Sequence, residues 1–161
     1  MNAGDAESDT ALGDWYVNRI VVDRRPLLLL VSSGSLLSIL EPARNVRELP
    51  ARLIDMVYER LRRLGVDMGF IEREIDAMTP VLVGQTRDRS VLGQMVDFAK
   101  TAPYHLPLDG WDNEDLRLLE SRLEETPCRL AARFGDAIFP ADRASWLLKE
   151  KWGTIQAPPS G

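Results

Sequence analysis

The chain holds one cysteine, Cys128, and one histidine, His105. A lone cysteine excludes an intramolecular disulfide, and with a lone histidine it excludes the usual four-ligand zinc sites. A carboxylate-built Mg²⁺ or Ca²⁺ site stays open, but no metal or cofactor is implied. Long apolar runs are also missing. The longest, Leu27 to Val31, falls far short of the roughly 20 residues that a membrane span needs. The start, MNAGDAESDTALGD, is acidic and has no apolar stretch, so it does not read as a secretory leader. The expectation is a cytoplasmic protein with no membrane attachment.

What is present fits a folded body. The 161 residues are 45% hydrophobic and 28% charged, which suits one domain and rules out a wholly disordered chain. The expected layout is a disordered acidic tail over 1–11, a single α+β domain over 12–153 and a second disordered tail over 154–161. The net charge of -5 is unevenly spread. Residues 1–14 carry four acids and no base, residues 19–63 nine bases and five acids, and residues 109–125 two bases and seven acids. This polarisation predicts that the acidic tail or the 109–125 segment screens the arginine-rich stretch.

Periodicity gives the elements. Trp15 to Val22 is rich in aromatic and β-branched residues and reads as a strand. Asp23 to Pro26 reads as a turn, Leu27 to Ser32 as a strand buried on both faces, and Leu36 to Leu40 as a third strand, in an antiparallel meander. Val46, Leu49, Leu53, Val57, Leu61 and Leu64 then recur at helical spacing, with Pro50 at the helix start and Gly65 as a left-handed cap. Phe70 to Met78 is a shorter helix, and Val81 to Val83 a short later strand. Ser90 to Ala102 is a helix with Val91, Met95, Phe98 and Ala102 inward, followed by a loop from Pro103 to Gly110. Asp112 or Asn113 caps a helix through Glu125, with Leu116, Leu119 and Leu123 inward. Ala141 to Trp152 is a last helix. The fold class is α+β: a small antiparallel sheet of three N-terminal strands and one short later strand, against four to five helices.

The densest polar cluster is Gln85 to Ser90, with Gly93 just inside the following helix. A loop entering a helix N-terminus can gather N–H groups around an anion, with Arg87 and Arg89 as clamps and Ser90 as a further donor. The glycine spacing is not that of a P-loop, and no lysine follows Gly93. The plainer reading is a capped helix start with solvated arginines. Asn18 on the first strand can present an amide to a ligand or bond a loop, and Trp15 beside it is a core candidate. Asp97 and His105 are the nearest acid and base, although no serine or cysteine neighbour completes a nucleophile pair with His105. Cys128 is a thiol near a helix end or a small buried residue. Arg24, Arg25, Arg60, Arg62 and Arg63 offer phosphate contacts but are not interleaved with aromatics.

These motifs occur together in a recognisable order. Gly13-Asp14-Trp15-Tyr16-Val17-Asn18, Arg24-Arg25 before an apolar strand, Arg89-Ser90-Val91-Leu92-Gly93-Gln94-Met95 and Thr126-Pro127-Cys128 resemble a bacterial and mobile-element family known only as a domain of unknown function. The resemblance spans roughly residues 12–150. Asp88 and Val96 stand where that family tends to have asparagine, and the acidic tail replaces its basic lead-in. The resemblance implies no activity, substrate or cofactor, but it marks Trp15, Gly93, Met95 and Cys128 as shared structural positions.

With no complete catalytic constellation, the leading expectation is a small interaction or regulatory protein with a protein partner and no catalysis. The alternatives are an enzyme or anion-binding module built on Asn18, Arg87, Arg89, Ser90 and Asp97, and a nucleic-acid binder.

Overall fold

The computed structural model describes residues 9–43, 48–78, 89–107, 110–128 and 137–153. Three strands, β1 (Trp15–Val22), β2 (Arg25–Ser32) and β3 (Ser38–Pro42), form an antiparallel meander in chain order. Five α-helices follow: α1 (Leu49–Leu64), α2 (Met68–Ala77), α3 (Arg89–His105), α4 (Asn113–Glu124) and α5 (Pro140–Leu148). A π-helical turn over Lys149–Gly153 extends the last of them. The α+β class is therefore as expected. The short later strand, Val81 to Val83, lies outside the described residues.

β2 explains the architecture. Every residue from Leu27 to Ser32 is buried, because the strand lies between two others and is covered on both faces. Leu27, Leu29 and Val31 join Val91, Met95 and Phe98 of α3 and Leu116, Leu119 and Leu123 of α4 in one apolar cluster. Leu28 and Leu30 join Met56, Val57 and Leu61 of α1, Ile71 of α2, Ala144 and Leu148 of α5 and Trp152 in another. The period-2 alternation of the strand thus feeds two cores, one on each face. Each fully buried leucine contributes about 1.5–3 kcal/mol.

Local chemistry sets the boundaries. β1 and β2 are joined by Asp23 and Arg24 alone, both at positive φ (52° and 64°), as a two-residue type I′ hairpin requires. Pro26 consequently sits within β2 and not in the turn. The third strand begins later than the apolar pattern predicts. Leu36 takes a left-handed φ of 65°, its N–H donates to Ser32 O, and the Ser35 hydroxyl accepts from Leu37 N. Gly65 ends α1 at a φ of 88°, in the predicted left-handed cap. Asp112 caps α4 through a reciprocal capping box with Asp115, whose backbone N–H holds the Asp112 carboxyl below its usual range. α3 runs three residues beyond Ala102 and contains Pro103, where a loop was expected.

The segment before β1 is built into the body. Thr10 Oγ1 donates to Gly13 O, and the amides of Ala11 and Leu12 donate to Glu74 of α2. Leu12 O accepts from the Ser32 hydroxyl and from Gly34 N. No helix among the described residues is long and apolar enough to cross a membrane.

Candidate functional site

The strand and helix that carry the sequence candidates lie on one side of the sheet. Tyr16 and Ile20 of β1 pack into the α3 cluster, and alternation puts Asn18 on that same face. Asn18 is exposed, as are Arg89, Gly93 and Asp97, while Ser90 is half-buried. No hydrogen bond among the described residues joins Asn18 to Arg89 or Asp97. Arg87 lies outside the described residues. Met95 is buried in the α3 core, and Trp15 is half-buried against the opposite cluster with its indole Nε1 enclosed and unpaired.

Asp97 acts on another candidate through its charge alone. Its charge adds to burial in pushing the Cys128 thiol up to about 12, burial being the larger cause. Cys128 is 2% exposed, exchanges two 2.7 Å backbone hydrogen bonds with Ile138, and donates its S–H to Thr126 O. Such a thiol stays protonated at neutral pH and does not act as a nucleophile. His105 is exposed at the last residue of α3.

The strongest electrostatic feature lies at the other edge of the sheet. Glu120 of α4 is fully buried. Its carboxylate accepts from Leu40 N (2.9 Å), Arg63 (2.9 Å) and Arg117 (2.7 Å). Arg117 also reaches Leu40 O and Glu41, both at 3.1 Å. Arg60, only 2% exposed, donates to Ser38 O at 2.7 Å and to Glu124 at 2.9 Å. In an antiparallel ladder alternate residues turn their backbone groups outward, and on β3 these are Ser38 and Leu40. Three arginines and three glutamates thus close the free edge of β3, with no net charge. The arginine-rich stretch and the acidic 109–125 segment meet here.

A second buried carboxylate, Glu74, has a different environment. It is fully enclosed and accepts three neutral donors: Ala11 N at 2.8 Å, Leu12 N at 3.1 Å and Trp152 Nε1 at 2.9 Å. It ties the segment before β1 and the C-terminal π-turn to α2. Neither network was singled out from sequence, although a signal existed. Arg60, Glu74 and Glu120 each occupy a position inside an apolar helical stripe, beside Leu61, Ile75 and Leu119 respectively.

These contacts engage three of the five arginines that the sequence offered as phosphate contacts. Arg60 and Arg63 are engaged by Glu120 and Glu124, and Arg25 lies 3.6 Å over the Trp111 ring while donating to Trp111 O. Two open concavities of about 310 Å³ each are present. One is lined by Glu124, Glu125, Phe139, Ala141 and Asp142; the other lies between α1 and α4 and is lined by Glu41, Arg52, Asp55, Met56, Glu59, Arg63, Asn113 and Arg117. Neither contains Asn18, Arg89, Ser90 or Asp97. Among the described residues no group of three or more His, Cys, Asp or Glu side chains could hold a metal ion.

No curated protein and no solved structure matches the chain. A family model does match it, over residues 1–143, which include β1 to α4 and the start of α5. The chain belongs to the family described as Domain of unknown function (DUF6933).

Proposed function

We propose that this chain is a small cytoplasmic interaction or regulatory protein that works by binding a protein partner and has no catalytic activity. The observation that carries the reading is how the reactive side chains are used. Arg60, Arg63, Arg117 and Glu120 hold the β3 edge, Glu74 holds the chain's first described segment, and Cys128 is a buried, protonated thiol. The exposed surface instead carries apolar side chains such as Leu92 and Val96 on α3 and Trp146 on α5. Affinity capture from a bacterial lysate, run beside a broad activity screen on the purified chain, tests the reading. A stable, stoichiometric protein partner supports it. Turnover of a substrate with no partner retained overturns it.

A second reading, an anion-binding site at the start of α3, has one observation in its favour: Asn18 shares the sheet face that α3 covers, and Arg89 is exposed. Titration with inorganic phosphate separates the two, since the second reading requires saturable binding that Arg89→Ala removes. The nucleic-acid reading is weaker, because Arg60 is buried and Arg63 is already paired.

A further inference from the structure

We propose that the outer face of α3 is a self-association surface, on which a second copy of this chain packs its own α3 antiparallel, with the two helices crossing at Gly93. Gly93 sits in the second turn of α3, where glycine is less favourable than alanine. Among the described residues the fold gives no reason for it. Its backbone is helical, and a Cβ built there meets no atom within 4 Å. A missing side chain on an exposed helix face lets another helix approach closely.

The surroundings of Gly93 fit such an approach. Leu92 and Val96 lie together along one side of it on the exposed face, 40% and 47% accessible, while Val91 and Met95 face the core. These two apolar residues are uncovered among the described residues. Arg89 lies four positions before Gly93 and Asp97 four positions after it, so both share its stripe. Neither side chain makes a hydrogen bond or ion pair with another described residue, and Asp97 acts on Cys128 only through its charge.

This placement selects the occupant. In an antiparallel pair related by a two-fold axis at Gly93, a residue four positions before the axis faces one four positions after it on the other copy. Arg89 of each chain therefore meets Asp97 of the other, about 6 Å along the helix on either side of the crossing. The pairing is reciprocal, leaves no like charges opposed, and closes on itself as a dimer. A parallel arrangement would set Arg89 against Arg89. The inference goes beyond the interaction reading above, because self-association through α3 is compatible with any further partner.

Sedimentation of the full chain over a range of concentrations tests it. The expected species has twice the 18.1 kDa chain mass at high concentration. Arg89→Asp and Asp97→Arg should each weaken association about tenfold or more, and the two together should restore it. Gly93→Leu should abolish association while circular dichroism shows the helices intact, since the added side chain meets open space in the monomer. A wild-type chain that stays monomeric overturns the proposal. So do single charge reversals that associate like the wild type, or a double reversal that fails to recover.

Discussion

The backbone N–H of Leu40, on the outer edge of β3, donates to the buried carboxylate of Glu120 on α4 at 2.9 Å. A side chain here takes the place of a fourth strand. Arg117 completes the substitution at Leu40 O, and Arg60 extends it to Ser38 O. The edge of a small sheet is thereby closed by two helices that also cover opposite faces of that sheet.

Glu120→Ala should be among the most destabilising single changes in the chain. It strands Leu40 N and leaves Arg60 buried beside a lost counter-charge, a situation that costs about 3–5 kcal/mol. The paired replacement Arg60→Met with Glu120→Leu should cost less than Glu120→Ala alone, because it removes both buried charges together. Urea denaturation of the three variants checks this. Equal loss in the single and paired variants would show that the carboxylate's bond to the strand, not its charge partners, dominates.

Glu74 should behave as a shared acceptor. Glu74→Gln keeps the shape but replaces one acceptor oxygen with a donor, so at least one of Ala11 N, Leu12 N and Trp152 Nε1 loses its partner. The expected loss is about 1–3 kcal/mol. A double-mutant cycle with Trp152→Phe should give a clear coupling energy, since both changes act on the same 2.9 Å bond. Simple additivity would mean that the indole bond contributes nothing of its own.

The Cys128 thiol makes a prediction about alkaline stability. Its folded value lies near 12, against an ordinary 9.0, so the fold favours the protonated form. Between those values the unfolded chain releases the proton and the folded chain keeps it. Stability from this site is therefore fully present below about pH 9 and declines as pH rises toward 12. Comparing pH-dependent denaturation of the wild type and Cys128→Ala isolates the effect: the wild type should lose more stability across that window. A thiol reagent at neutral pH should label the chain only after denaturant is added.

Much of the architecture is written in periodicity. Leu27 to Val31 shows no alternation because β2 has a core on each side, and Val91, Met95, Phe98 and Ala102 mark the inward face of α3 directly. The misses are local and have identifiable causes. The third strand starts at Ser38 because serine side chains and a left-handed Leu36 occupy the connection, which an apolar count does not register. α3 passes through Pro103 because Ala102 and Leu106 on either side stay anchored in the core. For the site, chemical type was a poor guide. By residue type Arg60 and Glu120 belong on a solvated helix face, yet their place in apolar stripes is what buries them. Arg117 and Glu120 form a local i,i+3 pair, but Arg60 and Arg63 meet Glu124 and Glu120 from more than 50 positions away, which no local pattern encodes.

Two glycines give opposite expectations on replacement by alanine, and the contrast is the most economical check on the packing. At Gly34 an added Cβ would lie 2.8 Å from Leu12 O and 3.0 Å from Leu12 C, both backbone atoms fixed by the Ser32 and Gly34 hydrogen bonds. Either the segment carrying Leu12 must shift or those bonds must stretch, and Leu12 is fully buried, so Gly34→Ala should cost about 1–3 kcal/mol. At Gly93 the backbone is already helical and the space is open, so Gly93→Ala should raise the stability of the isolated chain by about 0.5–1 kcal/mol. Thermal unfolding of both variants at a concentration where the chain is monomeric measures the pair. A tolerated Gly34→Ala would mean that the Leu12 segment is held less tightly than its hydrogen bonds indicate.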